Sequence, residues 1–176
     1  MKNKNTIIVF ATLFLLAVLS RWVSHFWNFT LLGGAFLFAG AYFTDKKIAV
    51  LLMLSAMLVS DYVIGWHDQM PVVYFAYLIV VALGFLLNPQ SSRLKIVGYS
   101  ALGSFIFYVV TNFAVWYQGA LYPMTFSGLI QCYVMGIPFY GNQIVSDIGA
   151  SLGFFEIARR VPGLVGDFKE AKAKSK

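Results

Sequence analysis

Residues 137–155 read IPFYGNQIVSDIGASLGFF. The stretch is apolar enough for a bilayer, yet its first turns carry Asn142, Gln143, Ser146 and Asp147. At 100° per residue these four positions fall within an arc of about 140°. Ala150 and Gly153 continue that stripe with small side chains. An ionisable side chain at the bilayer centre costs about 2.5–3.5 kcal/mol on insertion scales, so it is expected to face the bundle interior or a cavity. The rest of the chain must therefore supply neighbours for this face.

Composition agrees with a membrane solvent. The 176 residues are 60% hydrophobic and 18% aromatic, and only 11% are charged, against about 25% in soluble domains. Mean hydropathy is +0.75. The net charge of +6 does not imply a nucleic-acid partner, because the basic residues lie between apolar runs and in the tail instead of forming an interleaved patch. A single cysteine, Cys132, excludes an internal disulfide and a multi-cysteine metal site. The N-terminus, MKNKNTIIVFATLFLLAVLSRW, has the basic start and apolar core of a signal peptide. Ala17-Val18-Leu19 places Leu at the cleavage position, so the segment is expected to be an uncleaved first helix.

Six apolar segments are expected, over about 6–22, 30–44, 48–66, 71–87, 94–117 and 137–160. Polar breaks such as TDKK, HDQMP and NPQSSRLK separate them. With the N-terminus inside, twelve of the thirteen basic residues are cytoplasmic and only Arg21 is outside. The expected fold is an all-α six-helix transmembrane bundle with both termini cytoplasmic, in a bacterial inner membrane. One domain covers 1–160, and a basic cytoplasmic tail covers 161–176. The uncharged segment 118–136 holds Pro123 and Gly128 and is expected to be a long outer or re-entrant loop covering the bundle.

That topology gathers polar residues at the outer side. Arg21, His25 and Asn28 end helix 1, and Asp61 lies about one and a half turns below the outer end of helix 3. Asn112 is near the outer end of helix 5, with Tyr108 and Ser104 at i−4 and i−8. Pairing with Arg21, a histidine or a backbone amide would account for either aspartate structurally. His25 and His67 are expected to be solvated loop residues. Glu156, with Arg159 and Arg160 at i+3 and i+4, is expected to form a helix-end ion pair without further role. Gly149 and Gly153 form a small-xxx-small pair, expected to serve packing within the bundle. Aromatics at the outer side, among them Trp27, Trp116 and Tyr140, exceed what an interfacial belt requires and suit the wall of a lidded pocket.

Catalytic and nucleotide-binding motifs are absent from the sequence, including HExxH, GxSxG and a Walker-type loop. The expectation is a protein that is not an enzyme, has no cofactor and no metal, and cannot power transport by itself. An assembly factor whose polar face meets another protein is the first alternative. The second is an intramembrane enzyme, which needs Asp61 and Asp147 within direct or water-bridged reach.

The runs NFTLLGGAFLFAGAYFTDKKIAVLLMLSAMLVSDYVIG (28–65) and TNFAVWYQGALYPMTFSGLIQCYVMGIPFYGNQIVSDIG (111–149) resemble an uncharacterised family of small bacterial six-helix membrane proteins. The likeness covers most of residues 20–155. More distantly, the plan is similar to the substrate-binding S components of energy-coupling factor (ECF) vitamin transporters. Six helices, a basic inner face, a Gly/Ala-rich second helix and an acidic residue ending the third carry that likeness. It implies capture of a vitamin or related micronutrient from outside, with an ECF-type coupling subunit and two ATPases as partners. One feature departs from it: the AxxxA pair expected on helix 1 of such proteins occurs here in the second segment, as Ala35 and Ala39. Asp147, Asn142, Gln143, Asn112 and Asp61 are then the expected polar contacts to a ligand, with Trp116, Tyr140 and Trp27 as its apolar walls.

Overall fold

The computed structural model describes residues 2–23 and 28–161. They form six helices and no strand: α1 (Lys2–Val23), α2 (Leu32–Tyr42), α3 (Lys46–Ile64), α4 (Met70–Gly84), α5 (Arg93–Tyr117) and α6 (Phe126–Arg160). Local chemistry sets several of these limits. Asp45 accepts from the Lys47 N–H at 3.0 Å, Ser92 from the Lys95 N–H at 3.3 Å, and Thr125 from the Gly128 N–H at 3.2 Å, each an N-cap that satisfies a first-turn donor. Gly65, at φ 112°, ends α3 in a conformation that other residues rarely adopt.

Three helices are long and apolar enough to cross a membrane: Lys4–Val23, Lys46–Ile64 and Arg93–Tyr117. Their outer faces carry large apolar side chains such as Leu15, Leu51, Leu58, Leu102 and Phe105 in exposed positions, a surface suited to lipid and not to water. The chain is thus read as a multi-pass membrane protein. The basic tail expected over 161–176 lies beyond the described residues except for Val161.

At the centre is α2, the shortest helix, and every one of its eleven residues is buried. A helix that is apolar on all sides needs neighbours on all sides. It packs against α4 and α6, and also meets α3, α1 and α5. Where α2 crosses α4, backbones touch: a Cβ on Gly40 would fall 2.3 Å from the Val81 carbonyl oxygen, and one on Gly84 2.3 Å from that of Leu37. Ala35 and Ala39, the AxxxA pair, are fully buried inside this packing, so they present no outer docking face.

The segment 118–136 is not one long loop. Only 118–125 is irregular, and α6 begins at Phe126 and runs for 35 residues through Pro138. Proline usually ends a soluble helix because it lacks an N–H, yet α6 continues through this one. Here the turns before it are held sideways by α5. The Tyr133 hydroxyl donates to the Val109 carbonyl at 2.9 Å, the Tyr108 hydroxyl donates to the Tyr133 carbonyl at 2.5 Å, and Gly136 sits against Asn112. Membrane helices tolerate proline where neighbours supply such cover. At about 1.5 Å per residue α6 is about 52 Å long, well beyond a hydrocarbon core of about 30 Å.

Gly149 and Gly153 also differ from expectation. Both are exposed, and an added Cβ at either would meet nothing within 4 Å. They lie on the outside of α6 and do not pack within the bundle.

Candidate functional site

Two buried polar clusters form near the end of the bundle that carries the connections 28–31, 65–69 and 118–125. In the first, the Asp61 carboxylate on α3 is fully buried. Its Oδ1 lies 2.5 Å from the Arg21 guanidinium of α1, and its Oδ2 accepts from the Tyr74 hydroxyl of α4 at 2.7 Å. Arg21 Nη1 also donates to Ser60 Oγ at 2.6 Å. The His67 side chain is a solvated loop residue, as expected, with its Nε2 3.9 Å from Asp61 Oδ1 at the edge of the cluster.

The second cluster surrounds Asp147 on α6. Its Oδ2 accepts from Ser104 Oγ of α5 at 2.8 Å, and the carboxylate lies against the Gly33 N–H in the first turn of α2. No side chain from the flanking loop caps α2 at Leu31, so Asp147 fulfils that task from another helix. A carboxylate there meets both an unpaired donor and the positive end of the helix dipole, worth up to about 2 kcal/mol in partly buried geometry. The opposite end of α2 is treated in kind: the Lys46 ammonium donates to the Gly40 carbonyl at 2.7 Å. About one turn further along α6, Ser151 Oγ donates to Ser100 Oγ at 3.2 Å, extending the polar seam.

Between the clusters lies a cavity of about 160 Å³. Arg21 and His67 line it from one side and Gln143 from the other. Asn28 and Thr30 contribute from the α1–α2 connection, and Leu32, Met57, Val73, Tyr77 and Phe107 complete the wall. Tyr77, buried on α4, feels the charges of Asp147, Arg21 and Asp61 together and so marks the point where the clusters meet. Gln143 is only 4% exposed. It is one turn from Asp147 and close to that carboxylate, but its Nε2 closes no hydrogen bond among the described residues. An unsatisfied buried donor costs about 1–3 kcal/mol, which makes Gln143 the least settled polar group of the cavity.

The expected site residues divide accordingly. Gln143 lines the cavity. Asp61 stands behind Arg21, and Asp147 stands behind the α2 terminus. Neither carboxylate is part of the cavity wall, and each is held by different partners. Asn142, also off the wall, is partly buried. Asn112 turns toward the first part of α6: its Nδ2 donates to the Tyr108 carbonyl at 2.8 Å, and Cys132 Sγ donates to its carbonyl at 3.3 Å. Tyr140 packs on Tyr108 with ring centroids 4.8 Å apart. Trp116 donates to the Pro123 carbonyl at 3.1 Å and fastens the 118–125 connection. These three therefore build the α5–α6 contact and not the cavity. Trp27 and His25 lie outside the described residues. Glu156 pairs with Arg159 and Arg160, and also with Arg93 of α5 at 3.2 Å.

The sequence pointed to Arg21 and Asn28 as outer-end polar groups without assigning them to the site. It gave no role to His67, Tyr77 or Thr30. Position was the signal for His67 and Thr30, which lie in the two connections that close over one end, whereas Tyr77 lies mid-helix in α4 and carried none. Among the described residues no group of three or more His, Cys, Asp or Glu side chains could hold a metal ion.

No curated protein and no solved structure matches the chain. The family model described as "Family of unknown function (DUF6580)" matches residues 1–163, and the chain belongs to that family.

Proposed function

We propose that this protein is a membrane-embedded substrate-binding subunit of the S component kind, which captures a vitamin or related micronutrient from the outer side for uptake. The supporting observation is the cavity between Arg21, His67 and Gln143, with polar groups converging on one end of a largely apolar bundle. Such a combination of apolar walls and few placed polar groups is the usual make-up of a ligand site. The positive-inside distribution of Lys and Arg supports an orientation with that end outside and both termini in the cytoplasm of a bacterium. A cavity of about 150 Å³ is large enough for a benzene ring. The enclosed part of the ligand is therefore about that size, and a larger vitamin extends past the mouth. Energy for release inward comes from partners, for which an ECF-type coupling subunit with its ATPases is the candidate.

The assembly-factor reading needs the polar face of α6 at a protein interface, whereas Gln143, Ser146 and Asp147 are all buried within the bundle. Native mass spectrometry of the detergent-purified protein from cells grown in rich medium tests capture directly. A reproducible small-molecule adduct, lost on Gln143→Leu, is the expected result. A bare mass for wild type, or an adduct indifferent to that substitution, contradicts the reading.

A further inference from the structure

We infer that the cavity selects a small carboxylate, its charged end bound by Arg21 and Gln143 and its short apolar body against Leu32, Met57 and Phe107. This rests on the capture reading and adds the charge of the ligand to it. The first support is the distribution of charge around the cavity. Arg21 and His67 are in its wall, whereas Asp61 and Asp147, the two buried carboxylates, are not. Asp61 is closed off behind Arg21 by that guanidinium and the Tyr74 hydroxyl. Asp147 is closed off by Ser104 and the start of α2. The nearest charge a ligand meets is thus the cation.

The second support is donor supply. Among the described residues, the bonds that hold Arg21 to Asp61, Ser60 and Met57 all run through Nη1. Guanidinium has five N–H donors in a planar fork, so among the described residues the edge formed by its other nitrogens meets no partner and suits a bidentate carboxylate. Gln143 Nε2 is buried beside the Asp147 carboxylate and closes no well-formed hydrogen bond with a described residue. A guanidinium edge and an amide N–H without a settled partner among the described residues ask for an acceptor-rich, anionic group. Its apolar remainder asks for a small hydrocarbon body.

Benzoate, benzamide and benzamidinium share one shape and carry charges of −1, 0 and +1, so they separate charge from fit. The full-length protein in detergent is to be titrated with each, read by the midpoint of thermal unfolding and by calorimetry. The expected order is benzoate over benzamide by about tenfold in Kd, the scale of one charge-assisted bidentate contact, with benzamidinium weakest. The double variant Arg21→Gln/Asp61→Asn removes both charges without leaving either buried alone, and it is expected to lose the benzoate preference. Gln143→Leu keeps both charges and is expected to weaken benzoate several-fold, so it decides the matter should the double variant not fold. Equal binding of benzoate and benzamide, preference for benzamidinium, no response to any probe, or unchanged benzoate affinity in Gln143→Leu overturns the inference. A neutral or cationic native adduct overturns it while leaving capture intact. Absence of any adduct, together with silence of all three probes, removes both.

Discussion

Asp147 lies so close to Gly33 that a methyl group on Gly33 would fall 2.2 Å from the carboxylate Oδ1. This contact joins the most polar stretch of α6 to the start of the most buried helix. It also explains why a carboxylate persists there: it ends the donor row and complements the dipole of a helix that has no cap of its own. The resulting α2–α6 seam carries one wall of the cavity, because Leu32 adjoins Gly33, Gln143 lies one turn before Asp147, and both line the cavity.

Gly33→Ala is accordingly expected to destabilise the protein by about 1–3 kcal/mol or more through overpacking against Asp147. Asp147→Leu is expected to have a comparable effect by stranding the Gly33 N–H, while the Ser104 hydroxyl keeps the Ser100 carbonyl at 3.0 Å as acceptor. Thermal unfolding in detergent, followed by tryptophan fluorescence, measures both.

Arg21 and Asp61 present a different balance. Removing one partner leaves a charge buried alone, so Arg21→Gln and Asp61→Asn are each expected to cost about 3–5 kcal/mol. The double variant is expected to be more stable than either single variant, since no unpaired charge remains. A double-mutant cycle on unfolding midpoints checks the sign of the coupling.

Glycines on the outer side of α6 behave oppositely to Gly33. With open space above them, Gly149→Ala and Gly153→Ala are expected to be neutral or to stabilise by about 0.5–1 kcal/mol each through helix propensity. A loss of stability for either in the same assay would mean that this face is occupied.

What the sequence conveyed was depth, and what it withheld was direction. Apolar runs and basic residues located the helices and collected Arg21, Asp61, Asn112, Gln143 and Asp147 at one end. Rotation about each helix axis is set by packing, and there the reading parted from the structure. Asn112 and Tyr140 share that end but turn into the α5–α6 contact, and Gly149 and Gly153 turn outward. The α6 start at Phe126 was not legible in a segment holding Pro123 and Gly128, because the turns before Pro138 depend on contacts from α5 that no local pattern contains. The Arg21–Asp61 pairing was within reach because the expected topology leaves Arg21 as the one outer basic residue, at the same end as Asp61. His67 is solvated as its loop position implies, and only its neighbours reveal that it also lines the cavity.

The claim on which the account turns is that the cavity beside Gln143 opens to the outer side. Single cysteines in a Cys132→Ser background, treated in intact spheroplasts with a membrane-impermeant maleimide, test it most directly. Gln143→Cys is expected to be modified from outside, more slowly than the exposed loop position Asp68→Cys and far faster than Ser151→Cys, which is fully buried further along the same helix. If Gln143→Cys proves as unreactive as Ser151→Cys while Asp68→Cys reacts, the cavity is not an outward-facing site and the account fails.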